Sequence, residues 1–325
     1  MFSRGHTRRL LRLAALFAIL ACRNMYAASP PDIVVLAREQ QPMHREFVDA
    51  LRNALAENAA GAVRIVNAVD FTSRVLDGKP SSQPDLIVAV GTEVTLQVTT
   101  LNPPVPVLSV AIPRLSFEQL QRRHAGRADA SRRSELSAIY LDQPLERRLD
   151  LVQQVLPRAR RIGIILGPDT AAYASDFRVA TQSRRLALRV GRVEDEAQLI
   201  RTLDEVLKES DVLVGVVDPL VFNRASARNI LLTTYRWRVP LVGISPAYVR
   251  AGALAAVYST PEHIARQLAE MIAGFRSKEV KLPPPQYPKY FSVAVNYQVA
   301  ESMGVPVEEE DTLQRRLSSR GSAPP

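Results

Sequence analysis

Polar residues with ligand-binding chemistry follow two apolar runs of the sequence. Gly91 and Thr92 come directly after "DLIVAV", and Asp218 comes directly after "VLVGVV". Glycine lets a ligand approach the backbone closely, and the free N–H groups at the start of a following helix can hold an anionic group. The pattern predicts ligand-binding loops at the carboxyl ends of buried strands, with Thr92 and Glu93 opening the next helix.

Each of these residues also has a purely structural interpretation. Gly91 and Thr92 can form a turn and an N-cap. Asp218 precedes Pro219, so its backbone is extended, and its carboxylate either caps the next helix or binds a ligand amine.

Further ligand-binding chemistry is available from an arginine and three tyrosines. Arg38 can donate two hydrogen bonds to a carboxylate or phosphate, or can form a surface salt bridge with Glu39 or Asp169. The tyrosines can line an aromatic wall or simply pack across a surface; they are Tyr173, Tyr248 and Tyr258.

An internal repeat predicts the elements that position these residues. In the same order, four short Val- and Ile-rich runs occur in each half of the chain. The runs are "DIVVLAREQ", "AVRIVNAVD", "PDLIVAVGTEVT" and "VPVLSVAIP" in the first half, and "RIGIILGPDT", "LALRVGRVED", "DVLVGVVDPL" and "VPLVGISPA" in the second. Continuous apolar runs are typical of parallel strands covered on both faces, and amphipathic helical segments lie between them. The fold class is therefore α/β: two doubly wound parallel-sheet lobes facing each other across a cleft.

We expect the polypeptide to pass from one lobe to the other at several crossings, which act as a hinge. The crossings are predicted near residues 137–144, near 254–263, where Pro261 can start a helix, and in the Pro-rich segment before "FSVAVN". The predicted bounds are 31–138 plus about 259–282 for the first lobe, 139–258 plus about 290–315 for the second, and a disordered tail over 316–325.

The N-terminus has the pattern of an export signal. Four arginines, at positions 4, 8, 9 and 12, precede the apolar stretch 13–21, which is too short to span a bilayer, and small residues follow at Ala27 and Ala28. We expect removal of residues 1–27, with a lipid anchor at Cys22, the sole cysteine, as the alternative. Because five arginines and no acidic residue lie in the signal, its removal lowers the formal charge from +9 to near +4. The basic run 121–135 is therefore interpreted as a solvated helix or loop, and no nucleic-acid partner is expected.

The chain resembles the periplasmic substrate-binding proteins of ABC transporters, in the branch that includes tryptophan and tyrosine binders. The resemblance lies in "DLIVAVGTEVTLQV", "PLERRLDLVQQVLPRARRIGIILGPDT", "VPLVGISPAYVRAGALAAV" and "FSVAVNYQVAESMGV". It implies a type I periplasmic-binding-protein architecture, a small-molecule ligand of amino-acid-like type, a membrane permease as partner and a monomeric, periplasmic protein. A periplasmic sensor of the same fold, signalling to a membrane partner, is the alternative.

Matching the family motifs residue by residue extends the predicted site. The loop after the first strand of the second lobe matches at Pro168, Asp169 and Thr170, and the loop after "VPLVGI" matches at Ser245. The chain departs from the family where "VAIPRLSFEQL" lacks a Thr-Asp-Pro loop. The complete predicted site is Arg38, Glu39, Gly91, Thr92, Pro168, Asp169, Thr170, Asp218, Ser245 and Tyr248.

Sequence motifs of catalysis are missing from the chain. No Gly-x-Gly-x-x-Gly follows the first strand, and neither Gly-x-x-x-x-Gly-Lys nor Gly-x-Ser-x-Gly occurs. The histidines do not have metal-ligand spacing and are expected in loops or at the surface; they are His6, His44, His124 and His263. We therefore expect a binding protein without cofactor, metal or enzymatic activity, with a two-domain α/β enzyme as the least favoured alternative.

Overall fold

The computed structural model describes residues 31–57, 63–71, 83–126, 134–275 and 280–321. Within these ranges the chain forms two β-sheets, each covered by helices. The predicted export signal, including Cys22, lies outside the described residues. In the described ranges, no helix is both long enough and apolar enough to cross a membrane.

The first sheet has five parallel strands in the order β2-β1-β3-β4-β5. The strands are β1 Ile33–Ala37, β2 Val63–Asn67, β3 Leu86–Val90, β4 Val107–Ile112 and β5 Leu136–Tyr140. Alternate residues of β1 belong to different cores: Ile33 packs with Phe47 on one face, and Val34 packs with Val94 on the other. Burial on both faces explains why the strand reads as a continuous apolar run.

The second sheet has six strands in the order β11-β10-β9-β8-β6-β7. The strands are β6 Arg161–Leu166, β7 Ala187–Arg192, β8 Val212–Val214, β9 Leu241–Val242, β10 Ala255–Tyr258 and β11 Ser292–Val295. Strands β6 to β10 are parallel. Only the edge strand β11, which follows the last chain crossing, is antiparallel to its neighbour β10.

The repeat predicted from the sequence is confirmed by the strand order. The first sheet has the order β2-β1-β3-β4-β5, and the second, listed from its other edge, has the order β7-β6-β8-β9-β10. In both sheets the second strand of the lobe is therefore an edge strand, and it lies beside the first strand of the lobe. The prediction of two doubly wound α/β lobes is therefore correct, with the antiparallel β11 as an addition.

Helices cover both sheets and carry the amphipathic patterns seen in the sequence. They are α1 Pro42–Glu57, α2 Gly91–Leu101, α3 Arg114–Ala125, α4 Leu145–Val155, α5 Ala174–Ser183, α6 Leu199–Lys208, α7 Ala227–Trp237, α8 Pro246–Ala251, α9 Pro261–Gly274, α10 Tyr297–Ser302 and α11 Glu310–Gly321. Helix α9 begins at Pro261, as predicted, and Thr260 and His263 form a reciprocal capping box at its start.

Each lobe is completed by a helix from the C-terminal third of the chain. Helix α9 packs on α1 and places Ile264, Leu268 and Ile272 in the first-sheet core. Helix α11 places Leu313 and Leu317 in the second-sheet core.

The predicted disordered tail from residue 316 is wrong over its first part, because helix α11 continues to Gly321. Leu317 is buried four residues after Leu313, and this apolar pair anchors the helix against the second lobe. Residues 322–325 lie outside the described residues.

Three chain crossings join the lobes, and hydrogen bonds connect them to each other. Gln143, in the crossing after β5, donates through Nε2 to Ser259 Oγ in the crossing after β10, at 2.8 Å. Ser259 Oγ donates to Tyr290 O in the third crossing at 2.5 Å. Arg147 Nη1 donates to both Gln143 Oε1, at 2.6 Å, and Pro288 O, at 3.0 Å. The crossings therefore form one connected hinge.

We predict that Leu268→Ala destabilises the protein by about 2–5 kcal/mol, because it removes a fully buried side chain between α9 and the first sheet. Urea unfolding followed by circular dichroism measures the change. Leu232→Ala is the matched control, since Leu232 is 53 % exposed, and it should change stability by less than about 1 kcal/mol. Equal losses for the two variants would contradict the placement of α9.

Candidate ligand-binding cleft

Two adjoining cavities lie between the lobes at the carboxyl ends of the strands. The larger, of about 170 Å³, is lined by Pro113, Leu141, Asp142, Gln143, Arg148, Val217, Ile244, Ser245 and Val257. The smaller, of about 50 Å³, is lined by Arg114, Asp142, Gln143, Leu145, Arg148, Tyr173, Asp176, Phe177, Val216, Val217 and Tyr287. Pro113 and Leu141 follow β4 and β5 of the first sheet, and Ile244 follows β9 of the second, so both lobes and a crossing contribute to one site.

A larger groove, of about 560 Å³, lies at the other end of the second lobe. Its lining includes Ala159 and Asp211, which precede strands β6 and β8. Ligands of open parallel sheets bind at the opposite, carboxyl ends of the strands, so the interlobe cavities are the better candidate despite their smaller volume.

Arg148 is a buried cation that lines both cavities. Its Nη2 atom is inaccessible to solvent and has no hydrogen-bond partner, and its Cζ lies 6.0 Å from the centre of the Phe177 ring. Burial lowers the pKa of the Arg148 guanidinium to about 10, which leaves it protonated at neutral pH. The cleft therefore contains a positive charge with an unused donor.

Asp142 also lines both cavities, but its carboxylate already has a protein partner. Asp142 Oδ2 accepts a hydrogen bond from the backbone N–H of Arg114 at 2.6 Å. Burial raises the pKa of the Asp142 carboxyl above its usual range. Among the ion pairs of the described residues, none joins Asp142 to Arg148.

One rim of the cleft is bridged by direct contacts between the lobes. Arg114 of α3 contacts Asp176 of α5 at 3.4 Å, and its guanidinium lies 4.8 Å from the centre of the Tyr173 ring. Tyr173 Oη donates to Glu118 of α3 at 3.2 Å. Arg114 also forms an ion pair with Glu118 at 2.6 Å and donates to Tyr287 Oη at 2.9 Å, so its charge is fully engaged.

The predicted arginine of the first loop is also engaged within its own lobe. Arg38 Nη1 forms an ion pair with Glu93 Oε2 at 2.5 Å, rather than with Glu39 or Asp169. Glu39 is exposed and lies 3.9 Å from Arg52 Nη2. Neither Arg38 nor Glu39 lines the cleft cavities.

The side chain of His44 packs so closely against Gly91 that it leaves no room for a Cβ at this position. Helix α2 begins at Gly91, which has a φ of +78°, and a Cβ there would lie 2.9 Å from His44 Nε2. No side chain caps this helix, so the N-cap interpretation of Thr92 is not realised. His44 is buried, contrary to the expectation of a surface histidine, and its Nδ1 accepts from the Arg38 N–H at 3.0 Å.

Asp218 joins two loops of the second lobe. Its Oδ2 accepts from the Gly167 N–H at 2.9 Å and from Thr170 Oγ1 at 2.5 Å. Its Oδ1 accepts from the N–H groups of Leu220 and Val221 at 2.8 and 2.9 Å. With four donors and 2 % exposure, this carboxylate is fully used by the protein's own loops. It does not cap the next helix, because residues 219–221 form a turn and α7 begins only at Ala227.

The remaining predicted residues of the second lobe are not brought together as one group. Pro168 and Asp169 are exposed in the loop after β6. Ser245 lines the larger cavity and caps α8. The ring of Tyr248 packs edge-on against Phe222 with centroids 6.0 Å apart. Of the ten predicted residues, Ser245 alone lines these two cavities.

The sequence interpretation missed Asp142, Gln143 and Arg148. The available signal was positional: Arg148 lies three residues after Leu145 and four before Val152, on the apolar stripe of helix α4. A charge on a buried stripe is costly unless it is paired, and this is the sequence signal that marks Arg148.

The chain belongs to the ABC transporter substrate binding protein family, whose sequence profile matches residues 73–315. This establishes a solute-binding role of the chain at the level of the family. No curated protein sequence matches the chain.

Solved structures share the fold at low sequence identity. A ligand-free, open substrate binding protein with adhesive properties from Clostridium difficile is similar at a TM-score of 0.64 and 15 % identity, over 86 % of this chain and 96 % of that one. An ABC domain from Streptococcus pneumonia in complex with L-Trp is similar at a TM-score of 0.54 and 15 % identity, over 88 % of this chain and 98 % of that one. A conserved domain protein from Vibrio cholerae is similar at 0.55 and 16 %, over 88 % and 98 % of the two chains.

We predict that Asp218→Asn destabilises the protein by about 1–3 kcal/mol, because the new amide NH₂ must face donors in a buried site. Chemical denaturation measures the loss. Asp169→Asn, an exposed neighbour of the same loop region, is the control and should be near neutral. An unchanged midpoint for Asp218→Asn would argue against the role of this carboxylate as a structural link between the two loops.

We predict an acid-sensitive contribution to stability from His44. Burial, with a smaller effect from Arg38, lowers the pKa of His44 in the folded protein, while nearby Glu93 acts in the opposite direction. The unfolded chain, with a histidine pKa of about 6.5, then binds more protons than the folded chain, so stability falls as pH drops through about 6.5 and the loss levels off below the folded pKa. Melting temperatures of wild type and His44→Asn between pH 7.5 and 5.5 measure this, and the wild type should lose more. Parallel curves for the two proteins would refute the prediction.

Proposed function

We propose that this chain captures a small-molecule ligand in the interlobe cleft and delivers it to the permease of an ABC-type importer. The observation that carries the proposal is the pair of adjoining cavities lined by strand ends of both sheets and by a chain crossing. A ligand there contacts both lobes at once, so its binding energy favours the closed form over the open one. The family of the chain supports transport as the use of that closure.

An amino-acid-like ligand is the first class to test. The cleft combines a buried cation, an acidic group and apolar surface from Leu141, Val217 and Val257. The Streptococcus pneumonia structure of the same fold holds L-Trp. The small volume of the cavities favours a ligand of few heavy atoms, or one that requires the lobes to open further.

The site of action belongs to the same proposal. Delivery to a permease requires export, and residues 1–27 are proposed as the signal that directs it. The exported protein is proposed to act as a monomer that meets its membrane partner when closed.

The test is native mass spectrometry of the exported protein, purified from cells that express the 325-residue chain. We expect one small molecule per chain, and a smaller radius of gyration in solution scattering when ligand is bound. Leu141→Trp fills the larger cavity and should abolish capture, whereas Leu232→Trp, an exposed leucine outside the cleft, should retain it. Equal capture by both variants would remove the cleft from the binding site, and no capture by the wild type would contradict the proposed function.

A further inference from the structure

The charged groups around the cleft differ in how fully the protein satisfies them. Arg114 is engaged by Glu118, Asp176 and Tyr287, and Arg147 by Gln143 and Pro288. Arg148, whose Nη2 has no acceptor, lines the same space. The charge of Arg148 is partly offset by nearby Asp142, but its enclosed Nη2 donor still has no acceptor. Removing such a donor from water without giving it an acceptor costs free energy.

We infer that Arg148 binds a carboxylate group of the ligand and thereby selects small organic acids over their neutral analogues. The inference rests on the proposed function and adds a chemical class to it. A planar guanidinium matches the two oxygens of a carboxylate, and hydrogen bonds of this kind are among the strong ones in proteins.

The surroundings favour a ligand with a single negative charge at this point. Asp142 lies on the same cavities and already offsets part of the Arg148 charge, so a dianionic group such as a phosphate ester would bring excess negative charge into the cleft. The rest of the larger cavity is lined mainly by aliphatic side chains, which suit a hydrocarbon portion next to the carboxylate. The carboxylate can belong to an amino acid or to an acid without an ammonium group.

The position of Arg148 makes it a specificity-determining residue. Arg148 lies on helix α4, directly after the hinge residue Arg147 and directly before the buried Leu149. Its guanidinium lies beside the ring of Phe177. Little side-chain freedom is then lost when the ligand binds.

The first experiment compares the binding of matched ligands to the exported wild-type protein, and it needs no variant. The probes are the natural amino acids, their amides and the corresponding deaminated acids, each followed by thermal shift and calorimetry. We expect binding of a carboxylate compound and at least tenfold weaker binding of its amide. Tight binding of the deaminated acid identifies a simple organic acid as the class, whereas its failure identifies an amino acid. An amide that binds as well as its acid overturns the inference.

The second experiment compares variants with the strongest carboxylate probe. Arg148→Gln should weaken binding by about 10- to 100-fold, as expected for loss of a charged hydrogen bond, and Arg148→Lys should bind with intermediate affinity. Arg201→Gln, which neutralises an exposed arginine on α6, is the control and should bind like the wild type. Circular dichroism verifies folding; if Arg148→Gln does not fold, Arg148→Lys and the amide comparison decide.

The outcomes separate this inference from the proposed function. Equal binding by wild type and Arg148→Gln contradicts the inference alone, since capture persists without the cation. Failure of the wild type to bind any probe or to retain any compound from the cell contradicts both.

Discussion

The buried side-chain amide of Gln143 connects the chain crossings on which the two-lobed structure depends. Its two ends bond to Ser259 and Arg147, which in turn reach the backbone of the third crossing. Because an unpaired buried amide costs about 1–3 kcal/mol, breaking any one of these crossings away from the others is unfavourable. The three crossings are therefore held together by side-chain hydrogen bonds, and Gln143 itself also lines the cleft.

The contacts between helices α3 and α5 at the rim of the cleft are partly exposed. They are the ion pair of Arg114 with Asp176, whose side chain is 48 % exposed, the approach of the Arg114 guanidinium to the Tyr173 ring, and the hydrogen bond of Tyr173 with Glu118. Ion pairs at such exposure contribute about 0–1 kcal/mol. Because the crossings stay connected while the contacts between α3 and α5 can break at low cost, the lobes can open and close while each lobe stays folded.

The sequence predicted the sheets well because the information for them is local. Continuous apolar runs such as "IVVLA" and "LIVAV" are explained by burial on both faces. The repeat of these runs in both halves of the chain corresponds to the repeated strand arrangement of the two sheets. The antiparallel β11 could not be predicted in this way, since its direction depends on how the last crossing re-enters the sheet.

The site was predicted less well because its residues depend on long-range packing. Gly91 was predicted to let a ligand approach the backbone closely, but the group that lies against it is the side chain of His44, which the sequence could not place there. Asp218 was considered as a cap of the next helix, but its carboxylate instead holds its own turn and the separate loop of Gly167 and Thr170. Arg148 follows a crossing, and only the packing of both lobes shows that its donor is enclosed.

The charge distribution around the cleft favours closure over a negatively charged ligand in the proposed function. Acidic and basic groups at the strand ends largely neutralise one another, as in the pairs of Arg38 with Glu93 and Arg114 with Glu118. The guanidinium of Arg148 is already removed from water by the fold. Only the carboxylate of the ligand would therefore have to be desolvated on binding, and its attraction to the guanidinium would act in a low-dielectric site. A neutral ligand would leave that donor enclosed and unpaired, and closure over it would gain nothing from the charge. Under the proposed function, selectivity for an acid and closure on the ligand would both be consequences of the same buried cation.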